Sequence, residues 1–367
     1  MNHIKSIQRK ISENNWDFLL ITDENNQRYA TGFPFTDGFV LVSQENAWLI
    51  TDSRYYEAAL EAVKSLAEND IEVLLYSRSS PKMKHLRNIL AGHKCAGKPV
   101  LAVEDSRLSH KEYMALERIL NVGLTGSENI LETLRASKDE RELQSMIAAQ
   151  RISEQALKET LPIIRPGMTE KEVAAELVYR MLRHGSEGNS FDPIVVTGRN
   201  TSKPHGVPGD TVIQAGDLVT MDFGSLKDGY CSDMTRTVAV GYATDEMRNI
   251  YSIVLKAQLA GISAARSGIT GRIIDAAARQ VIQEAGYGEF FGHGFGHTLG
   301  LEIHERPVAN PSESSLMPEG AVCSAEPGIY LPGKFGVRIE DVMILRKDGA
   351  EVITRAPKDE LIIVGLQ

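Results

Sequence analysis

The sequence predicts a chain of two domains, an α/β domain followed by an α+β domain. Residues 1–125 alternate helical and extended patterns, which is typical of an α/β layer domain. Beyond about residue 130 the pattern changes to long capped helices and paired extended runs, and one segment recurs. A chain of 367 residues is long enough for two cores, so we place the domains at 1–130 and 131–367.

The first domain is predicted from strands that are separated by helices. The run "DFLLITD" and the hairpin-like "GFVLVSQENAWLITD" are extended, and the helical "SRYYEAALEAVKSLAE" and "KMKHLRNILAGH" each precede a further extended run. Acidic and histidine residues are scattered here, and Gly32 and Gly38 are typical of turns. We therefore expect a structural or dimer-forming domain without a catalytic cluster.

Helix-start signals open the second domain. Ser137 and Glu140 match an S-x-x-E capping box and predict the start of a long helix. Thr169 and Glu172 match a second box, whose helix is expected to stop at Gly185.

The second domain also contains a weak internal repeat. Segment 167–185 aligns without gaps on 268–286, with matches at both end glycines, the threonine cap and one alanine. Shared helix composition would produce one such match by chance. The alternative is two related α+β halves that meet at a common cleft, where ligands often bind.

Composition argues against several classes of protein. The net charge of −9 disfavours a broad nucleic-acid or anionic-membrane surface. We find no apolar signal-peptide core at the N-terminus and no membrane-length apolar stretch. Cys95, Cys231 and Cys323 are an odd number without a CxxC motif, which favours a reducing compartment. We expect a soluble, cytoplasmic protein.

Two aspartates, Asp222 and Asp233, lie in a predicted hairpin, "MDFGSLKDGYCSDMTRT". A loop at Lys227-Asp228 places the two directly opposite each other. A loop at Asp228-Gly229 shifts the register by two and keeps both carboxylates on one face, whereas a three-residue loop would break this arrangement. Like charges that face each other across strands are destabilising, so this pair needs a stabilising partner.

Two glutamates lie in a second predicted hairpin, "AVCSAEPGIYLPGKFGVRIEDVMIL", whose turn is "PGKFG". Glu326 and Glu340 fall on neighbouring antiparallel strands, and the longer loop leaves their register open. Both lie beside apolar residues, with Lys334 and Arg338 as the few nearby cations. For a lone strand, a solvated face would be the favoured interpretation. Four strand carboxylates are costly to bury without a charge partner, and one or two divalent cations would resolve the repulsion.

Three histidines, His293, His297 and His304, cluster in the glycine-rich "GHGFGHTLGLEIHE", where glycines let the backbone approach a ligand closely. The segment fails to match GxGxxG because of Leu299, and HExxH because of Val308. Carboxylates with one imidazole suit Mn²⁺, and Co²⁺ or Zn²⁺ less distinctively. Two metals that share carboxylates can activate a water and polarise a carbonyl.

These motifs, taken in order, closely resemble a known family. The contexts "MDFG", "SDMTRT", "HGFGHTLGLEIHE", "AEPGIY" and "GVRIED" are similar to those of the Xaa-Pro aminopeptidases and Xaa-Pro dipeptidases (prolidases) of the methionine aminopeptidase/creatinase superfamily. The resemblance covers almost the whole chain. It implies a creatinase-type N-terminal α/β domain, followed by a pita-bread α+β metallopeptidase domain with an internal pseudo-twofold repeat.

The resemblance implies a role for each site residue. The implied ligands of two divalent metal ions are Asp222, Asp233, His297, Glu326 and Glu340, with Asp233 and Glu340 bridging. A hydroxide between the metals would attack the carbonyl that precedes proline, with Glu326 handling the proton. His304 would stabilise the tetrahedral intermediate, and His205, in "SKPHGVPGD", would contact substrate near the leaving nitrogen. Arg338 would support the site, and His293 would line the proline pocket.

The implied protein is a metallo-aminopeptidase, a homodimer, that cleaves the N-terminal Xaa-Pro bond of peptides. Two positions depart from the family pattern. Thr298 stands where many relatives have glycine, and Val308 stands where prolidases often have an arginine that grips the substrate carboxylate. Arg306 lies near enough to supply that grip, so the preference for peptides longer than dipeptides is slight.

Other interpretations remain open at this point. One is a dipeptidase restricted to Xaa-Pro dipeptides. Another is a metal-dependent enzyme of different chemistry, such as a lyase, and a third is a non-catalytic binding protein on the same fold. Cys231 as a nucleophile is a remote alternative, because a strand cysteine is more often a packing residue.

Overall fold

The computed structural model describes residues 3–64, 71–93, 97–120 and 122–365. The chain divides into two compact units, Met1–Arg135 and Ala136–Gln367. Cys95 lies outside the described residues, whereas Cys231 and Cys323 are buried and take part in no disulfide. Within the described ranges, no helix combines the length and the apolar character that crossing a membrane requires.

The first unit is an α/β layer built on one six-stranded sheet, as predicted. Its strands are β1 (Phe18–Ile21), β2 (Gly38–Ser43), β3 (Ala47–Thr51), β4 (Ile71–Leu75), β5 (Val100–Val103) and β6 (Gly123–Gly126). Its helices are α1 (Ile4–Glu13), α2 (Glu24–Thr31), α3 (Tyr56–Lys64), α4 (Lys82–Gly92), α5 (His110–Ile119) and α6 (Ile130–Arg135). The strand order is β4-β3-β2-β1-β5-β6, and the predicted hairpin is β2–β3.

The second unit is an α+β fold. Its helices are α7 (Glu140–Thr160), α8 (Glu170–Arg183), α9 (Asp245–Ala264) and α10 (Gly271–Glu284). Its strands are β7 (Ile194–Thr197), β8 (Leu218–Phe223), β9 (Leu226–Lys227), β10 (Tyr230–Cys231), β11 (Met234–Val240), β12 (Gly296–Thr298), β13 (Glu305–Ala309), β14 (Val322–Ala325), β15 (Gly328–Leu331), β16 (Phe335–Arg338), β17 (Asp341–Arg346), β18 (Gly349–Val352) and β19 (Ile363–Val364). One sheet has the order β19-β11-β8-β7 and packs on α7 and α8. The other has the order β13-β12-β14-β17-β18 and packs on α9 and α10.

The internal repeat predicted from the sequence is confirmed by these helices. α8 and α10 have 14 residues each, and they follow helices of 21 and 20 residues. Gly167 and Gly268, at corresponding positions, have φ angles of 94° and 80°. Thr169 caps α8 in the predicted box with Glu172, and both Thr169 and Thr270 form an isolated bridge to a later segment. The two halves therefore share one folding pattern.

The other predicted capping box, at the start of α7, is wrong. Asp139 is the N-cap of α7, and Glu142 completes the box with it. Ser137 instead donates its hydroxyl hydrogen to the carbonyl of Glu319 at 2.6 Å, so it is unavailable as a cap. Glu140 is simply the first helical residue.

Helix α9 carries a glycine whose missing side chain leaves room for an aromatic ring. A Cβ at Gly261 would lie 2.3 Å from the ring of Phe295, which is fully buried. We predict that Gly261→Ala lowers the unfolding free energy by about 1–3 kcal/mol through overpacking, although alanine is the better helix former. Urea titration measures the change. Gly92→Ala in α4 is the matched control, because no atom lies within 4 Å of a Cβ there, and equal destabilisation by both changes would contradict the packing argument.

Candidate metal centre

The first predicted hairpin closes at Asp228-Gly229, one of the two-residue loops that the sequence allowed. β8 pairs with β11 so that Asp222 faces Thr235, and the β9–β10 pair continues this register. Asp228 and Gly229 have φ angles of 51° and 76°, the left-handed values that a type I′ turn needs at both central positions. The loop one residue earlier, and with it the direct pairing of Asp222 with Asp233, is wrong because it would require a left-handed lysine.

The second hairpin holds Glu326 and Glu340 at a gap between two runs of paired residues. β14 pairs with β17 on one side of the gap and β15 with β16 on the other, in one continuous register, so the two glutamates lie opposite each other. The backbone amides of both glutamates donate hydrogen bonds to residues outside this hairpin. The Glu340 amide donates to the carbonyl of Thr235 at 3.1 Å, and the Glu326 amide donates to that of Phe295 at 2.8 Å. These bonds connect the second hairpin to the first hairpin and to the histidine segment, residues 292–305.

The histidine segment enters the site through β12, which lies between β13 and β14. The amide of His297 donates to Ser324 Oγ at 3.0 Å. A Cβ at Gly296 would lie 2.1 Å from the carbonyl oxygen of Ser324. Glycine is therefore needed here for the close approach of two strands, a more specific reason than the ligand contact that the sequence indicated.

All five predicted metal ligands line one cavity of about 460 Å³. They are Asp222, Asp233, His297, Glu326 and Glu340. Nε2 of His297 lies 3.5 Å from Asp233 Oδ2 and 3.3 Å from Glu326 Oε1. One ligand atom from each of Asp233, His297 and Glu340 lies within 4.8 Å of the other two, which is close enough to hold one ion. Since the aspartates belong to the first half of the repeat and the others to the second, the cavity lies where the halves meet.

Three carboxylate oxygens in this cavity are buried and, within the described residues, have no hydrogen-bond partner. They are Asp222 Oδ1, Asp233 Oδ1 and Glu340 Oε1. Two of these carboxylates are held through the other oxygen: Asp222 Oδ2 accepts from Arg338 at 2.6 Å, and Glu340 Oε2 accepts from the Thr235 hydroxyl at 2.7 Å. Unpaired buried carboxylate oxygens are costly, and a divalent cation would satisfy them. The donor set therefore fits divalent metal ions.

Burial and mutual repulsion shift the proton affinity of the cluster. Burial, and then the Asp222 and Glu326 carboxylates, raise the pKa of Asp233 well above its ordinary value. Burial is also the main cause that raises the pKa of Glu326 and of Glu340. Burial lowers the pKa of His297, which keeps the imidazole neutral and able to bind a metal.

Metal binding is expected to tighten as the pH rises. Carboxyl groups with a raised pKa retain protons in the metal-free site above the ordinary carboxyl range near 4, and a metal ion must displace them. The apparent affinity for Mn²⁺ should therefore rise with pH through the raised pKa values, with release of protons. Isothermal titration calorimetry at about pH 5 and about pH 7, in buffers of different ionisation enthalpy, measures both effects. An affinity that is independent of pH, without proton release, would contradict the prediction.

Arg338 connects the cluster to a tyrosine that sequence reasoning missed. Its guanidinium donates to Asp222, to the Tyr330 hydroxyl at 2.9 Å and to the Thr235 hydroxyl at 3.1 Å. The Tyr330 hydroxyl also lies 2.9 Å from Nε2 of His293. Burial raises the pKa of Tyr330 to about 12, so this hydroxyl stays protonated. A single tyrosine in an apolar strand gives no sequence signal for such a role.

His205 and His304 also line the cavity. The ring of His304 packs edge-on against that of His297, with centroids 4.4 Å apart, and partial desolvation within the cavity lowers the pKa of His304. His205 lies on the loop after β7, which buried Glu170 anchors by accepting from the amide of Gly209 at 2.9 Å. Glu170 was missed because an acidic residue in a first helical turn is ordinary. The structure thus brings every predicted site residue into one cavity.

Other side chains line the cavity, and most of them are apolar. They are Phe191, Asp192, Ile194, Pro204, Ile303, Val308 and Asn310. Apart from Val308, these residues have no distinctive local pattern, because isolated residues of such types near strand ends are common in any domain. Their surface suits a compact apolar group beside the carboxylates.

The fold and the carboxylate–imidazole cluster together define a metallohydrolase. Residues 144–347 match Metallopeptidase family M24, and residues 3–137 match the Creatinase/Prolidase N-terminal domain. The chain belongs to metallopeptidase family M24 and is an enzyme. Members of this family use divalent metal ions, in agreement with the cavity's donor set.

Similar proteins include both dipeptidases and aminopeptidases. The chain is 34% identical to the Xaa-Pro dipeptidase of Pyrococcus horikoshii, over 97% of each chain. The structure of an Xaa-Pro dipeptidase from Bacillus anthracis superposes with a TM-score of 0.91 at 39% identity, covering 98% of each chain. That of an X-Pro aminopeptidase from Thermotoga maritima MSB8 superposes with a TM-score of 0.88 at 38% identity, covering 99% of this chain and all of the other. These similarities confirm the creatinase-type and pita-bread architecture.

Proposed function

We propose that this enzyme hydrolyses the Xaa-Pro bond at the N-terminus of peptides, with two divalent metal ions as cofactors. The observation that carries the proposal is a set of three buried carboxylate oxygens without a hydrogen-bond partner among the described residues, beside His297, whose pKa burial lowers, in an M24 metallopeptidase. Mn²⁺ is our first choice of metal because the donors are hard oxygens with one imidazole, and Co²⁺ or Zn²⁺ are the alternatives.

The ligands divide into two overlapping sets. Asp222 and Asp233 would hold one ion, and His297 and Glu326 would hold the other, with Asp233 and Glu340 shared between them. The short distances from His297 to Asp233 and Glu326 support this division. When bound, the ions would polarise the substrate carbonyl and acidify a water molecule.

Glu326 is the proposed proton carrier. Its carboxylate lies in the cavity, accepts from the Ser324 hydroxyl at 3.0 Å, and has a pKa raised by burial. A carboxylate of raised pKa can take a proton and return it near neutral pH, which suits transfer to the leaving nitrogen. Arg338 would keep Asp222 oriented while this happens, because it grips Asp222 Oδ2.

Three histidines would contact the substrate. His304 and His205 line the cavity and would donate hydrogen bonds, His304 to the oxygen where negative charge develops and His205 near the leaving nitrogen. His293 is fixed by Tyr330, and with its apolar neighbours it would line a pocket for the proline ring. An Xaa-Pro bond has no N–H, so a pocket that demands no donor is chemically suitable.

The charges around the cavity support a slight preference for peptides longer than dipeptides. The Arg306 side chain is 84% exposed, and its near acidic neighbour is Glu313 at 3.9 Å. Val308, at the position where prolidases often have an arginine, lines the cavity. Among the described lining residues, the one guanidinium is that of Arg338, which is engaged with Asp222 and Tyr330. A free dipeptide carboxylate would therefore lack a counter-charge, whereas a peptide that continues beyond proline needs none.

The discriminating experiment compares Xaa-Pro dipeptides with Xaa-Pro-Yaa tripeptides after loading with Mn²⁺, Co²⁺ or Zn²⁺. We expect release of the N-terminal residue from both, with the higher kcat/KM on tripeptides. Exclusive cleavage of dipeptides would overturn the preference for length. Absence of cleavage of any Xaa-Pro substrate with all three metals would overturn the proposed function.

Val308→Arg is expected to move the preference toward dipeptides. An arginine at this lining position would pair with the free carboxylate, and a charge-assisted hydrogen bond of about 1.5–3 kcal/mol corresponds to roughly a 10- to 100-fold gain in relative kcat/KM. The ratio of dipeptide to tripeptide turnover measures the shift. Val308→Met is the control, since it adds length without charge, and an equal shift with methionine would contradict the ion-pair explanation.

A further inference from the structure

We propose that the buried ion pair between Lys138 and Glu305 is a positioning device for His304. Neither Lys138 nor Glu305 is among the described residues that line the cavity, so the pair would act through the backbone and not on substrate. The inference rests on the proposed function, in which His304 donates a hydrogen bond to the substrate carbonyl oxygen.

The ion pair is buried directly beneath the loop, residues 300–305, that carries His304. Lys138 Nζ lies 2.9 Å from Glu305 Oε2, and the two side chains are only 1% and 5% exposed. Lys138 comes from the segment just before α7, and its amide donates to the carbonyl of Gly320. A Cβ at Gly300 would lie within 2.9 Å of both Glu305 and Lys138, so the loop backbone rests directly on the pair.

Glu305 holds the loop in place because each of its carboxylate oxygens accepts a hydrogen bond. Oε2 accepts from Lys138, while Oε1 accepts from the amide of Glu302 at 3.3 Å. The loop is closed by a bond from the Gly300 amide to the Glu302 carbonyl at 2.9 Å. The carboxylate thus connects the middle of the loop to its end, which is the residue directly after His304.

His304 depends on this backbone for its position. Within the part of the chain that the structure describes, its ring nitrogens make no hydrogen bond, and its ring touches that of His297. The residue is also exposed to the cavity, so packing does not enclose it. Because the His304 side chain makes no hydrogen bond with the described residues, the position of its ring is set by the loop backbone. Glu305 in turn holds that backbone.

Removing the lysine would take the ammonium group away from the buried Glu305 carboxylate, and the loop would move so that water can reach that carboxylate. A displacement of about 1 Å at a group that orients a reaction can cost on the order of 100-fold in rate. Lys138→Met should therefore lower kcat on an Xaa-Pro-Yaa peptide by about 10- to 100-fold while KM changes little. Lys138→Arg, which restores the ion pair, should recover most of the rate.

A double-mutant cycle with His304→Ala separates positioning from general support. If Lys138 acts through His304, Lys138→Met should lower kcat by less than about twofold in the His304→Ala background. An equal loss of rate in both backgrounds would overturn the inference, because the pair would then support the whole site. An unchanged rate in Lys138→Met, or in His304→Ala itself, would overturn it as well.

Two further variants keep the test decisive. Should Lys138→Met fail to fold by circular dichroism, Lys138→Gln retains a donor for Glu305 and enters the same cycle. Arg180→Met breaks a partly exposed ion pair with Glu159 between α7 and α8 and should leave kcat unchanged. The wild-type enzyme is assayed first on Xaa-Pro-Yaa, so a failure of the proposed function is recognised before the cycle is interpreted.

Discussion

Asp233→Asn is expected to abolish turnover and weaken metal binding, and yet to stabilise the metal-free protein. The change removes one charge from the centre of the cluster, where Asp233 is shared between the proposed metal positions. Losing several kcal/mol of transition-state stabilisation corresponds to a fall in kcat of at least about 10³-fold. Enzyme assays and Mn²⁺ titration of the purified variant measure the two losses.

The stabilisation follows from repulsion among buried carboxylates. Asp233 Oδ1 has no partner among the described residues, and neighbouring carboxylates raise the pKa of Asp233. At a pH above the raised pKa values, where the carboxyls of the metal-free site are ionised, an amide of the same shape removes one charge. The melting temperature without metal should therefore rise, by about 2–4 °C for each kcal/mol gained. Asp192→Asn is the matched control, because Asp192 is exposed and lies outside the cluster, and its melting temperature should stay unchanged. A metal-free Asp233→Asn protein that melts below wild type would contradict the repulsion argument.

Arg338→Met is expected to be the most destabilising change in the site. The guanidinium is buried and is the hydrogen-bond donor to Asp222 Oδ2, so its removal leaves a buried carboxylate without a cation. Breaking a buried pair in this way costs about 3–5 kcal/mol, and urea titration of metal-free protein measures it. Saturating Mn²⁺ should recover part of the loss, because it supplies charge to Asp222. Arg346→Met, which breaks an exposed pair with Glu351, should change stability little.

Arg338→Lys tests the geometry of the same interaction. Lysine restores the charge, but its ammonium cannot reproduce the planar fork that reaches Asp222, Tyr330 and Thr235 together. We therefore expect stability to recover more than activity does. Full recovery of kcat with lysine would contradict the view that Arg338 orients the site through several partners.

The sequence predicted which side chains would meet in the cavity because the proposed ligands lie in short motifs with strong local signals. Asp222 and Asp233 flank an Asp-Gly turn, and Glu326 and Glu340 flank a glycine-containing turn, so the sequence predicts that each pair belongs to one hairpin. The longer loop of the second hairpin left the register of the two glutamates open, and the structure places them opposite each other between paired runs. The register of the first hairpin could not be chosen from the sequence. It depends on the left-handed φ angle of Asp228, which is seen only in the folded loop.

What the sequence could not supply depends on contacts between distant segments. Ser137 resembles a helix cap, but a carbonyl 182 residues away takes its hydroxyl. Tyr330 and Glu170 resemble ordinary strand and helix residues until His293 and the His205 loop fold against them. The pairing of Lys138 with Glu305 spans 167 residues and leaves no local pattern.

The most direct test compares release of the N-terminal residue from Xaa-Pro-Yaa and Xaa-Ala-Yaa peptides that are otherwise identical, with Mn²⁺-loaded and with chelator-treated enzyme. The account predicts a preference for proline of at least about 100-fold in kcat/KM, a difference of roughly 2.7 kcal/mol in transition-state binding, and loss of activity on chelation that Mn²⁺ restores. Comparable turnover of the alanine and proline peptides, or full activity after complete removal of metal, would contradict it.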